Sequence, residues 1–457
     1  MSIQSINPVN GQIIKTYQED SEQAISAKIE LAHKTWATWR TTSFEERKAL
    51  LSKTAAILRE KKSHLAELMA LEMGKPLKDG MAEAEKCAMV CDYYAANGEA
   101  FLKDQLIKTE ASNSFVSFQP IGVVLAIMPW NFPFWQTFRF LAPGLMAGNC
   151  ALLKHASNVP GCGLITEEIL LQAGFPKGVF QTLMIGSKAV SQVIDHPHVK
   201  AVTLTGSTEA GKKVAQQAGF QLKKTVLELG GSDPYIILED ADLEKAAEIC
   251  AQSRLINNGQ SCIAAKRFIT VKSIEKKFTE LFAERLAART TGDPFAEKTD
   301  LGPMARKDLR DELHKQVLDN IKAGAQLVLG GTVPNNANDN AFYTPTLLTN
   351  VKKGMPAYSE EIFGPVASII SANDVQEAIE IANDTTFGLG AAVFTENIAL
   401  GEKIAREELE AGSCFVNSFV KSDPRLPFGG INQSGYGREL GLFGIHEFVN
   451  IKTVYVK

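Results

Sequence analysis

Val202-Thr203-Leu204-Thr205-Gly206-Ser207-Thr208-Glu209-Ala210-Gly211 passes without a linker from an apolar run into a helix expected over 207–218. A strand that feeds a helix through a Gly-Ser turn is the joint of a βαβ unit, in which strands run parallel. Glycine lets backbone approach a ligand closely, and the first N–H groups of a helix attract phosphate. The stretch lacks the G-x-G-x-x-G spacing of the usual dinucleotide fingerprint, and Ser207 serves equally well as an ordinary N-cap.

Reading outward, apolar runs at 122–128, 150–154, 179–184 and 225–229 alternate with helical patterns at 131–147 and 159–172. This predicts a parallel sheet. A second α/β stretch follows, with strands expected at 235–238, 267–271, 366–370, 391–394 and 413–416, and helices at 243–257, 274–288 and 305–323. Helical spacing fills 20–40, 44–73 and 83–102, and a surface loop is expected at Gly330-Gly331 and 335–340. The segments 106–119 and 448–456 mix β-branched and polar residues; such strands either pair with each other or extend a sheet across a subunit boundary.

The chain has 457 residues, enough for two or three domains, and its 45% hydrophobic and 22% charged content is that of a soluble globular protein. A net charge of −4, with no long Lys/Arg run, argues against a nucleic-acid partner. The first residues do not read as a signal peptide, and no run of about 18 apolar residues suggests a membrane span. Seven cysteines without a disulfide framework fit a reducing cytoplasm. Cys87 and Cys91 share a helical face but have no His partner nearby, so they are expected in the core and no metal site is expected.

Chemistry concentrates in a few motifs. Cys262 follows Asn258-Gly259-Gln260-Ser261, and Glu228 opens Glu-Leu-Gly-Gly (228–231). A thiolate is a strong nucleophile and a carboxylate serves as general base, which together suit passage through a thioester. Pro-Trp-Asn-Phe-Pro (129–133) is a turn or, functionally, a rigid corner from which uncharged Asn131 donates to an oxyanion. Glu-Ile-Phe-Gly-Pro (361–365) reads as a loop, or as an acid for ribose hydroxyls beside an aromatic for a flat ring. Pro-Phe-Gly-Gly (427–430) and the glycines of 433–439 say only that the chain turns.

In this order, these motifs resemble the aldehyde dehydrogenase superfamily over nearly the whole chain. The resemblance implies an α/β, aldehyde dehydrogenase-like fold: a Rossmann-type cofactor domain (1–104 and 122–228, with part of 426–440), an α/β catalytic domain (229–425) and small oligomerisation strands (105–121 and 441–457). It implies Cys262 as nucleophile, Asn131 as oxyanion donor and Glu228 as the base that activates water. Trp130, Lys154, Ser157, Gly206, Ser207, Gly211, Glu361 and Phe363 would contact the cofactor. A homodimer or homotetramer, acting on a small aldehyde in the cytoplasm, is the implied setting.

Within the superfamily the chain is most similar to bacterial NAD(P)-dependent succinate-semialdehyde dehydrogenases of the Sad type, through 87–94, Lys-His-Ala (154–156) and Ser-Asp-Pro-Arg (422–425). Arg139 and Ser422 would then bind a distal carboxylate, for which a guanidinium offers a planar fork. Where many NAD-preferring members carry Pro-Ala-Glu after the lysine, this chain has His155-Ala156-Ser157. Ser157 cannot repel a 2′-phosphate as an acid would, so NADP, or both cofactors, are expected. Ala264 stands where some members carry a second cysteine, so no inhibitory disulfide is expected there. The rival readings are a broad aldehyde dehydrogenase, a CoA-acylating enzyme, which Glu228 argues against, and a non-catalytic use of the fold.

Overall fold

The computed structural model describes residues 2–334 and 340–457; positions 335–339 of the expected loop lie outside the described residues. Two large sheets dominate. The first runs, edge to edge, through strands 435–436, 224–228, 199–205, 123–128, 150–155 and 180–182. All are parallel except the short 435–436, which pairs antiparallel with 224–228. Val123 to Ala126 are wholly buried, as expected of a central strand covered on both faces. The second sheet orders 326–329, 346–349, 366–372, 267–271, 234–237, 390–394 and 413–416, parallel except at its first pair.

A third sheet joins the chain's distant parts: strand 449–456 pairs antiparallel with 113–120 along its whole length, and 105–106 extends it. The terminal strands therefore pair within one chain. The helical region expected at 44–73 breaks at Lys61, giving helices 44–60 and 62–73. The helix expected from 131 starts at Trp135, because Pro129 and Pro133 hold the preceding residues in a corner. Helix 77–102 is the longest, and Gly98 on it lies so close to helix 135–146 that an added Cβ would come within 2.3 Å of Met146. Cys87 and Cys91 are buried in the core on this helix. No helix among the described residues is long and apolar enough to cross a membrane.

Candidate active site

Register assembles the site. In the first sheet Met128 pairs with His155 and Thr205 with Glu228, so four parallel strands end along one edge. The Pro129–Pro133 corner, Lys154, Gly206-Ser207 and Glu228-Leu229 all emerge there, outside the carboxyl ends of strands, where open α/β sheets bind ligands. The second sheet presents the opposite ends of its strands: Pro234 pairs with Arg267 and Arg267 with Ser368. The Cys262 loop and Glu361–Phe363 precede those strands, so nucleophile and cofactor motifs meet at the seam between the sheets.

A cavity of about 470 Å³ opens at this seam, lined by Trp130, Asn131, Gly206, Ser207, Cys262, Glu361 and Phe363, among others. The Cys262 loop is tightly set. Asn257, Asn258 and Gly259 lie consecutively in the left-handed region, with φ of 52°, 57° and 74°. Asn258 is paid back by hydrogen bonds, accepting from the Gly302 N–H (2.8 Å) and donating to the Pro303 carbonyl (2.9 Å). The Asn131 side chain donates to the Gln260 carbonyl (3.1 Å), while its own backbone carbonyl accepts from Asn257 (2.7 Å) and Lys75 (3.0 Å). Lys266, wholly buried, donates to the carbonyls of Ser261 (3.0 Å) and Cys262 (2.6 Å). Burial pushes the Cys262 thiol up to about 12, with Lys266 and then Arg139 pulling the other way.

Glu228 sits differently. It is buried, and neither carboxylate oxygen has a hydrogen-bond partner among the described residues. Its Oε1 rests where a Cβ on Gly429 would stand, 2.6 Å away, and its side chain lines none of the cavity. Burial, and then the neighbouring Glu439, hold its carboxyl well above the usual range; Arg139 and Arg438 oppose them.

Arg139 is also buried, outside the cavity lining. It is ion-paired with Glu439, stacks over the Phe428 ring at 4.7 Å and lies 3.4 Å from the Thr205 hydroxyl. Ser422 accepts a hydrogen bond from Lys86 (2.8 Å).

The residues fit a dinucleotide. Helix 208–220 presents its N-terminus beside the cavity, with Ser207 exposed and accepting from the Ala210 N–H (3.3 Å) as N-cap. Gly211 packs on Leu229, where an added Cβ would come within 2.5 Å. Glu361 accepts from the Gly231 N–H (3.0 Å), and Trp130 meets Phe363 edge-on at 5.8 Å. A second cavity of about 610 Å³, which shares Arg306 with the first, is lined by Lys154 and the exposed Ser157. The carboxylate on its wall, Asp308, is held bidentately by Arg306 (2.9 and 2.7 Å).

Sequence reasoning missed the buried support. Glu83 accepts from the N–H groups of Phe134 and Trp135 (2.9 Å each) at the start of helix 135–146, and pairs with Lys75. That pair fixes the Asn131 corner. Lys75 carried one sequence signal, a lone cation in Met73-Gly74-Lys75-Pro76 between apolar helices; Glu439 stood inside a segment read only as turns.

Comparison with known proteins agrees with this geometry. Residues 1–454 match the aldehyde dehydrogenase family. A Synechocystis sp. protein named "Probable succinate-semialdehyde dehydrogenase (NADP(+))" is 49% identical over 100% of both chains. The Mycobacterium tuberculosis "Succinate-semialdehyde dehydrogenase (NADP(+)) 1" is 47% identical, again over 100% of each. Among solved structures, the succinic semialdehyde dehydrogenase of Streptococcus pyogenes in complex with NADP+ superposes with a TM-score of 0.97 at 38% identity, covering 99% of both chains. With Cys262, the Asn131 corner and the N-terminus of helix 208–220 at one cavity, and a family match over almost its full length, the chain belongs to the aldehyde dehydrogenase family.

Proposed function

We propose that the chain oxidises succinate semialdehyde, or a closely similar short ω-carboxylated aldehyde, to the acid with NADP+. The observation that carries this reading is Cys262 and Asn131 on one cavity, in a chain that shares nearly half its residues with relatives bearing that name. The Cys262 sulfur forms a bond to the aldehyde carbon as its proton passes through water to bulk solvent. The side-chain amide of Asn131 and the Cys262 N–H hold the resulting oxyanion; fixed donors at such a position contribute about 10²–10³ in rate. Bound NADP+ would supply the hydride acceptor for that carbon, and Cys262 would then carry a thioester. Glu228 then swings from its place by Gly429, takes a proton from water, and the thiolate departs as the acid forms.

Lys154 and Ser157 face the adenosine end, where the absence of an acid at 157 admits a 2′-phosphate; NAD serves more weakly. Ser207, Gly206 and Gly211 support the pyrophosphate, and Glu361, Phe363 and Trp130 the nicotinamide ribose and ring. Ser422 and Arg139 lie toward the carboxylate end, and Arg139 engages it by loosening Glu439. Strand 449–456, with Ile451 and Tyr455 exposed, suits assembly into a homodimer or homotetramer in the cytoplasm.

The test is steady-state reduction of NADP and NAD with succinate semialdehyde, glutarate semialdehyde, butanal and benzaldehyde. The reading predicts that kcat/KM for succinate semialdehyde exceeds that for butanal by well over about tenfold, roughly 1.4 kcal/mol. Butanal as the equal substrate would leave a broad aldehyde dehydrogenase.

A further inference from the structure

Four residues past the nucleophile, Lys266 ends the Cys262 loop and leads into strand 267–271. The second sheet holds its backbone on both sides. Its N–H donates to the Asp233 carbonyl (3.2 Å), and its carbonyl accepts from the Ser368 N–H (3.2 Å). The side chain is buried and lines neither cavity. It turns back along its own loop: the ammonium donates to the carbonyls of Ser261 (3.0 Å) and Cys262 (2.6 Å) and lies 3.6 Å from the Glu361 carboxylate. Gly231 closes on the Cys262 carbonyl as well, where an added Cβ would come within 2.8 Å of it.

An ammonium held out of water is costly, and an apolar side chain of similar size would fill the space without that cost. What distinguishes Lys266 is the pair of carbonyls it takes. They belong to the two peptides that flank the Cys262 α-carbon. The Ser261 carbonyl shares one planar, trans peptide with the Cys262 N–H, and in such a peptide the two groups point in opposite directions. Holding that carbonyl aims the N–H away from Lys266. A cation on the carbonyl also polarises the peptide, which strengthens its N–H as a donor. The second hydrogen bond fixes the following peptide, so the nucleophile's α-carbon is held from both sides. Glu361 balances the ammonium charge. Of the other charged groups around it, Arg254 is turned to the Gly259 carbonyl (2.5 Å) and Asp233 to the Gly390 N–H (3.1 Å).

We propose that Lys266 is a positioning residue for the oxyanion: it aims and polarises the Cys262 N–H through the Ser261 carbonyl, while touching neither substrate nor cofactor. This rests on the reading of Cys262 and its N–H given above, and holds for whichever aldehyde the cavity takes. Asn131 and Lys266 then serve the same oxyanion from two directions, one as donor and the other from behind the second donor.

The experiment compares the full-length wild type with Lys266→Met and Lys266→Arg, alone and in an Asn131→Ala background. Each is mixed rapidly with succinate semialdehyde or butanal under saturating NADP, and NADPH formation in the first turnover is followed. Lys266→Met is expected to slow that turnover by about ten- to a hundredfold with both aldehydes alike, with KM little changed and NADP still bound in a fluorescence titration. Lys266→Arg, which keeps the charge and the donors, should restore part of the rate. In the Asn131→Ala background the loss on adding Lys266→Met should shrink, because the two act on one oxyanion. A wild-type rate in Lys266→Met, an equal loss in both backgrounds, or a failure of Lys266→Met to bind NADP would each overturn the proposal, the last two by marking a purely structural role. A wild type that prefers butanal would overturn the carboxylated-aldehyde reading and leave Lys266 to be judged on the same rates.

Discussion

On the Asn131 side of Cys262, the carbonyls of Asn131, Gly259, Gln260, Ser261 and Cys262 each accept a hydrogen bond from a buried side chain. On the Glu228 side, among the described residues, neither carboxylate oxygen of Glu228 has a hydrogen-bond partner, and the neighbouring acid Glu439 is paired only with Arg139. The difference suits the roles proposed for the two sides. An oxyanion donor works best when it does not reorganise during reaction, so its wall is over-determined. A base that serves after hydride loss has to move and change charge, and bonds that fixed it would oppose both.

The largest effects should come from groups that touch the reacting carbon. Cys262→Ser should lower turnover by about 10³-fold or more, read as NADPH formation, since the hydroxyl is a far weaker nucleophile. Glu228→Gln should slow steady-state turnover by about 10²–10³-fold, while hydride transfer survives. Asn131→Ala should cost about 10²-fold in kcat with binding of NADP unchanged by fluorescence titration. Lys75→Met probes the rigid wall from behind. It leaves Glu83 buried without its cation and should destabilise the protein by about 3–5 kcal/mol in denaturant unfolding, with a smaller loss in kcat. Ser157→Glu should act least on chemistry, shifting preference from NADP toward NAD by about tenfold through repulsion of the 2′-phosphate.

The two sides also differ in their response to pH. The Cys262 thiol is raised, so its thiolate fraction grows as pH rises; alkylation by iodoacetamide in the free protein should accelerate steadily from pH 7 to 9 without a plateau. Glu228 is raised as well, so the folded protein holds a proton there that the unfolded chain has lost. Stability therefore falls as pH climbs above the ordinary carboxylate range toward the folded value. Glu228→Gln, which cannot ionise, should lose less stability than the wild type between pH 6 and 9 in thermal melts. A wild type whose alkylation rate levels off near pH 7 would mean that the wall activates the thiol in the resting enzyme.

Sequence reading reached the parallel sheets because short apolar runs alternating with amphipathic helices admit few other folds. Strand 267–271 was read at its observed bounds, and 150–154 falls one residue short of strand 150–155. It failed where no apolar rhythm exists: the hairpin of strands 2–6 and 13–18 carries a second strand with no buried residue. The strands 326–329 and 346–349, on either side of the expected loop, were also missed. At the site, Cys262, Asn131, Ser207, Glu361 and Phe363 were legible as local motifs, and the structure brings them to one cavity. Who holds whom was not. Arg139 finds Glu439 from the far end of the chain. A charge in sequence carries no record of its partner; that is settled by packing.

The central claim is that Cys262 performs the redox half of the reaction on the fixed side and Glu228 the hydrolytic half on the mobile one. Rapid mixing of Glu228→Gln with succinate semialdehyde and NADP tests it directly. The account predicts a burst of about one NADPH per active site, followed by slow turnover, with Cys262 trapped as an acyl thioester by mass. A Glu228→Gln enzyme that forms no burst, or that turns over at the wild-type rate, would contradict it.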